Sequence, residues 1–176
     1  MEHPRIAGLE TLALAGSGPC GSVYKACDSD GNAFALKVLR SDAVNRRQLE
    51  EATKVLESPD WPRGVMPVLT AEFHGNPPGR VTPWMAELGG HGEEVPRNLQ
   101  QRFARFPSAD SWRVLRELAE ALATFHSRGV AHANLKPGNV FFDDDDHVVL
   151  TDWAMGNMPG VRRLEFTDAY LYQSPE

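Results

Sequence analysis

Apolar and polar residues change rhythm several times along the 176 residues, and the changes divide the chain. Residues 9–15 (Leu-Glu-Thr-Leu-Ala-Leu-Ala) partly alternate and read as a strand. Gly16-Ser17-Gly18-Pro19-Cys20-Gly21 has turn chemistry. Residues 22–27 and 34–39 read as strands, with the hairpin turn Asp28-Ser29-Asp30-Gly31 between them. Three short strands joined by tight turns predict an antiparallel meander. Strong helix formers then fill 42–57, where Leu49, Ala52 and Leu56 make one apolar stripe and Pro59 and Pro62 end the helix. Residues 65–69 and 81–85 predict two further strands, whose Pro67 and Pro83 place them at edge or irregular positions, with Asn76-Pro77-Pro78-Gly79 as the turn between. Gly89-Gly90-His91-Gly92 reads as a hinge.

Past that point the 3.6 period dominates. Residues 110–126 carry Leu115, Leu118, Leu122 and Phe125 at helical spacing, with Val114, Ala119 and Ala121 widening the stripe enough for burial on more than one side. Ser127-Arg128-Gly129 ends this helix. Residues 140–142 and 148–150 form a hairpin across Asp143-Asp144-Asp145-Asp146, an acidic run that reads first as a solvated turn. The order is a small β-rich lobe with one helix (1–89), then a helical lobe (90–176).

Composition narrows the function. A net charge of −6 argues against a general nucleic-acid or anionic-membrane surface. No apolar run approaches the ~20 residues of a transmembrane helix, and the start lacks the apolar stretch of a signal peptide. Two cysteines, Cys20 and Cys27, make no disulfide framework, so a reduced, cytoplasmic setting is expected. Cys20, on the glycine turn, reads as an unreactive small residue, because reactivity needs a lowered pKa. The six histidines show no metal-ligand spacing.

Three motifs carry chemistry. Gly16-x-Gly18-x-x-Gly21-x-Val23 joins two strands, and its bare backbone could approach phosphates. Lys37, in Ala35-Leu36-Lys37, lies among apolar residues on the third strand. The most specific is His132-Ala133-Asn134-Leu135-Lys136-Pro137-Gly138-Asn139, followed 13 residues after Asn139 by Asp152-Trp153-Ala154. In order and spacing, with Ser174-Pro175-Glu176 at the end, these resemble the eukaryotic-type Ser/Thr protein kinases, including their bacterial relatives. The resemblance runs from about residue 8 to residue 176.

It implies an α+β, bilobal fold. A five-stranded antiparallel N-lobe with one helix would be followed by a shortened, mostly helical C-lobe ending at the activation segment. It further implies that Gly16, Gly18, Gly21, Val23, Ala35 and Lys37 bind ATP. Glu51, with Glu50 as second choice, would pair with Lys37, unless Ala52 faces it instead and leaves it without a partner. Asn139 and Asp152 would hold Mg²⁺, and Lys136 would steady the transferred phosphate.

The other half of the pattern departs. Asn134 stands where the family has its catalytic Asp, and an amide is no base; a general base contributes about 10²–10⁴-fold. Ala133 replaces the Arg that clamps a phosphorylated loop, and Trp153-Ala154 replaces Phe-Gly. The chain stops where the family continues, so the apolar face of helix 110–126 is expected to need a protein partner or a second copy over it. The resulting expectation is a pseudokinase that regulates or scaffolds a partner. Two alternatives are an unusual active Ser/Thr kinase completed by another chain and a kinase-like interaction domain that binds no nucleotide. A partner for Lys37 other than Glu favours the last.

Overall fold

In a computed structural model, residues 6, 8–41 and 45–154 are described. Ser174-Pro175-Glu176 lies outside them, as do the hydroxyl-bearing Thr167, Tyr170 and Tyr172. The first three strands are β1 (Glu10–Gly18), β2 (Gly21–Cys27) and β3 (Ala33–Leu39). β4 (Thr70–Glu72) and β5 (Gly79–Pro83) complete an antiparallel sheet of order β1-β2-β3-β5-β4.

The turn expected at 16–21 is shorter than its glycines suggest. β1 runs on through Gly18, which pairs with Gly21 across a two-residue turn at Pro19 and Cys20. Gly21 has φ +146°, and a Cβ there would fall 2.0 Å from the Val38 carbonyl oxygen, so only glycine fits. At Gly16 and Gly18 no atom stands within 4 Å of an added Cβ.

The strand expected at 65–69 does not form. Pro67 has no N–H for a ladder, and the preceding backbone instead reaches across to the second lobe. The Met66 N–H donates to the Leu150 carbonyl (2.9 Å), and the Leu150 N–H to the Gly64 carbonyl (2.8 Å). The strand at this place, β4, begins only at Thr70. The strand expected at 81–85 starts earlier, at Gly79, and is internal rather than at an edge. Pro83 is tolerated as its last residue.

Helix α1 (Arg46–Glu57) starts at Asn45, whose side chain accepts from the Gln48 N–H at 3.1 Å. It buries Leu49, Ala52, Thr53 and Leu56. The glycines at 89–92, expected as a hinge, connect a small hairpin that the pattern did not predict, β6 (Ala86–Leu88) with β7 (Glu94–Pro96). A short helix α2 (Leu99–Arg102) and the long α3 (Ser111–Ser127) follow. The hairpin β8 (Val140–Phe142) with β9 (Val148–Leu150) lies where the sequence put it. Its acidic turn is tied down by its own Asp143 carboxylate, which accepts from the Asp145 and His147 N–H groups. Arg97 pairs with Asp144, and Arg102 with Asp146.

One buried cluster runs through both lobes. Leu49, Leu56 and Val68 join Val114, Phe125, Val140, Leu150 and Trp153 in it. A second cluster, Ile6, Leu9, Ala26, Leu36 and Val81, lies on one face of the sheet. On α3 the inward face holds Val114, Ala121 and Phe125, while Trp112 and Leu115 are 81% and 54% exposed.

Candidate functional site

Strand register places the site. Gly16 pairs with Val23, Val23 with Lys37, and Lys37 with Arg80, so the four side positions form one row across β1, β2, β3 and β5. Direct cross-strand partners share a face. This row, with Ala35 two residues before Lys37, lines a cavity of about 220 Å³. The opposite wall comes from Asn139, Phe141, Thr151 and Asp152 on and around the β8–β9 hairpin. Thr82, Pro83, Trp84 and Met85 close the end. Of the residues singled out from sequence, Gly16, Val23, Ala35, Lys37, Asn139 and Asp152 meet here. Gly18, Gly21, Glu51, Asn134 and Lys136 are not among those lining the cavity.

The electrostatic centre is Asp152. Its Oδ2 accepts from Lys37 Nζ at 2.6 Å and its Oδ1 from Arg80 Nη2 at 3.1 Å. Burial alone would raise the pKa of this carboxyl, but the charges of Lys37 and Arg80 overcome it and hold the group down to about 2. Arg80 is 1% exposed and stacks over the Trp153 ring at 5.0 Å. Burial pulls its pKa below the ordinary guanidinium value, against Asp152, which holds it up. Its Nε and Nη1 are buried and have no hydrogen-bond partner.

The expected Lys37–Glu51 pair does not form. The period of α1 turns Leu49, Ala52 and Leu56 inward, which leaves Glu51 on the outer face, paired with Arg47 at 2.9 Å. The second choice, Glu50, is engaged by Lys54 and His74. Position 52, whose alanine is buried, offers no carboxylate either. Arg80 is the residue that sequence reasoning missed. Its signal was a lone arginine inside the apolar stretch Gly79-Arg80-Val81, two residues from Thr82 on the same face.

The loop 132–139 is held by a dense set of hydrogen bonds. The Ala154 N–H donates to the His132 carbonyl (2.9 Å), and the Thr151 N–H to the Asn139 carbonyl (3.0 Å). Asn139 Nδ2 donates to the Asn134 carbonyl (2.7 Å), and the Asn134 N–H to His132 Nδ1 (3.3 Å). Asn134 is buried, with its side-chain Nδ2 directed at the Asp152 carbonyl oxygen at 3.4 Å. His132 is 3% exposed and packs edge-on against Phe125. Burial pushes its pKa down to about 4, so the ring is neutral. Ala133, Asp152 and Ala154 all take left-handed backbone angles, φ +57° to +58°. Cys20 is buried, and burial raises its thiol pKa, which matches an unreactive residue.

Mg²⁺ requires hard oxygen ligands, usually carboxylates with room for water. Here each oxygen of Asp152 already faces a cation, and the Asn139 amide nitrogen is spent on the Asn134 carbonyl, leaving one neutral oxygen. A divalent ion between these side chains would sit beside both Lys37 and Arg80. In this arrangement the residues present do not fit the ion. Among the described residues there is also no group of three or more His, Cys, Asp or Glu side chains that could hold a metal.

The protein kinase domain family matches residues 9–176. Over 98% of its length the chain is 27% identical to the serine/threonine-protein kinase AfsK of Streptomyces coelicolor, covering 22% of that protein. Over 92% of its length it is 27% identical to CBL-interacting protein kinase 4 of rice, Oryza sativa subsp. japonica, covering 36% of it. A 51-residue stretch, 29% of the chain, is 45% identical to 3% of the eIF-2-alpha kinase GCN2 of Schizosaccharomyces pombe. The chain therefore spans about a third or less of these relatives.

Proposed function

We propose, for a chain that belongs to the protein kinase family, that the cleft binds ATP while phosphoryl transfer from it is lost or very weak, so that the domain acts by regulating or scaffolding a partner protein. The family as a whole uses ATP with Mg²⁺. The observation that carries the nucleotide half is that Gly16, Val23, Ala35 and Lys37 line one cavity together with Asn139 and Asp152. An apolar slot ending in cations suits a base and ribose with phosphates at the charged end. The loss of transfer rests on Asn134. Its amide has no basic lone pair to take a hydroxyl proton, and the missing base corresponds to roughly 3–5 kcal/mol of barrier. Lys136 then has little transferred charge to steady.

ATP at 100 times its dissociation constant is expected to stabilise the fold by about 2.7 kcal/mol, a rise of roughly 5–10 °C in Tm. Phosphate transfer from radiolabelled ATP to a generic protein substrate is expected at background. Transfer that disappears in Asp152→Ala would overturn the pseudokinase reading in favour of an active kinase. Gain of transfer in Asn134→Asp would show that the base alone is missing.

One observation favours a second reading. Lys37 has Asp152 rather than a helix glutamate as its partner, so the lysine is engaged without a ligand. On that reading the domain binds no nucleotide, and millimolar ATP leaves Tm unmoved.

A further inference from the structure

Resting on the nucleotide-binding reading above, we propose that the cleft takes the phosphates of its nucleotide without a divalent cation, the buried guanidinium of Arg80 supplying the charge such an ion would bring.

The charge count of the site drives this. A lysine facing a helix glutamate and a second, metal-binding aspartate would leave a site at −1, which repels a polyphosphate until a dication is added. In this chain the helix carboxylates face outward, at Glu50 and Glu51, and a guanidinium has entered instead. Lys37 and Arg80 against Asp152 sum to +1. The difference between the two counts is two charges, which is the charge of the ion. Among the described residues, Asp152 is the one carboxylate in contact with either cation.

Arg80 is also built as a ligand-directed group rather than as one arm of a closed pair. A buried guanidinium normally satisfies its donors, because leaving them unpaired costs desolvation with nothing in return. Arg80 lines the cavity and is 1% exposed, yet it uses Nη2 alone on Asp152, while its Nε and Nη1 are buried without partners. Its guanidinium carbon lies over the Trp153 ring at 5.0 Å, and strand pairing sets the residue opposite Lys37. A planar fork of this kind matches phosphate oxygens, and unlike a bound ion it has no entropy of capture. Because Asp152 is engaged by two cations, its role here is to hold them in place, so it is a positioning residue rather than a metal ligand.

The test is calorimetric titration of the intact chain with ATP, ADP and adenosine, each in excess EDTA and in excess Mg²⁺. ATP is expected to bind in EDTA with a Kd within about 3-fold of that in Mg²⁺, and adenosine at least about 10-fold more weakly than ATP. Binding of ATP that needs Mg²⁺ by 10-fold or more overturns the inference and leaves the nucleotide reading standing. Equal binding of ATP and adenosine overturns it as well, since the phosphates would then be unengaged. No binding under any condition removes the nucleotide reading itself, and the inference with it. Two variants add a sign. Asp152→Asn, isosteric and less negative, is expected to tighten ATP by roughly 5-fold both in EDTA and in Mg²⁺, and weaker binding in Mg²⁺ would instead mark Asp152 as a metal ligand and overturn the inference. Arg80→Met, checked for folding by circular dichroism, is expected to lose about 10-fold in EDTA and to recover part of it with Mg²⁺. An Arg80→Met chain that folds and binds ATP in EDTA as the parent does would sink the proposal.

Discussion

Ala133, Asp152 and Ala154 sit at φ +58°, +58° and +57°, three left-handed residues around one loop crossing. Aspartate tolerates that region, but an alanine methyl there meets the following carbonyl, at a cost of roughly 1–2 kcal/mol. Ala154 stands where the family has a glycine, and it takes a left-handed angle that glycine adopts without strain. Ala154→Gly should therefore stabilise the protein by about 0.5–1 kcal/mol, the relief of strain being partly offset by glycine's larger unfolded-state entropy. Urea unfolding would show it, and a lowered midpoint would count against it. His132 makes a second prediction. Its pKa is about 4 when folded and 6.5 in the unfolded reference, so the unfolded chain takes up the proton first. The stabilisation is complete above pH 6.5 and fades as pH falls towards 4, by up to ~3 kcal/mol. Glu117, held below its ordinary 4.5, and Asp152, held below 3.8, give way only at lower pH. The window from 6.5 to 5 thus reports the histidine rather than these carboxylates, and His132→Gln should flatten the slope there. An unchanged slope would argue that the ring titrates in the folded state.

At the scale of elements, what was legible followed from periodicity and what was not followed from tertiary pairing. The β8–β9 hairpin, β2, β3 and α3 lie where the sequence pattern put them, although on α3 the buried residues are Val114, Ala121 and Phe125, and Leu115 of the expected stripe is exposed. Residues 65–69 have a strand's composition, but Pro67 and two hydrogen bonds with Leu150, one from the Met66 N–H and one to the neighbouring Gly64 carbonyl, divert them, and no local pattern encodes a partner that far along the chain. The hairpin β6–β7 is carried by short, polar strands with little periodic signal. Within the site, Lys37, Asn139 and Asp152 were readable from motif spacing, whereas Arg80 became meaningful only once register set it opposite Lys37. Helix α1 is the sharpest case. The stripe Leu49, Ala52, Leu56 was read correctly, and followed strictly it already turns Glu51 away from Lys37. Glu51→Ala should accordingly shift Tm by no more than about 2 °C, as for exposed pairs in general. Leu49→Ala, at a fully buried position, should cost about 2–5 kcal/mol. A large loss from Glu51→Ala would mean that the helix rotates to present it.

For the whole molecule, the principal buried cluster joins the two lobes suggested by the apolar rhythm, beside a smaller cluster confined to the sheet. The principal cluster takes Leu49 and Leu56 from α1, Val114 and Phe125 from α3, and Val140 and Leu150 from the β8–β9 hairpin, with Trp153 among them. Trp153 is 1% exposed and packs with Trp61 at 6.1 Å, Phe125 at 6.4 Å and Arg80 at 5.0 Å. Backbone bonds between Met66, Gly64 and Leu150 sew the same seam. A shared core of this kind cannot lose one half without exposing apolar surface on the other, and that is the physical basis of all-or-none unfolding. Urea unfolding followed by tryptophan fluorescence and by far-ultraviolet circular dichroism should therefore give coincident transitions. Removing the keystone should break that coincidence as well as lower the midpoint. Trp153→Ala is expected to cost about 3–5 kcal/mol, and to separate the two curves as the sheet and the α3 region lose their common packing. Two distinct transitions in the parent chain would show that the lobes fold independently and that Trp153 merely caps one of them.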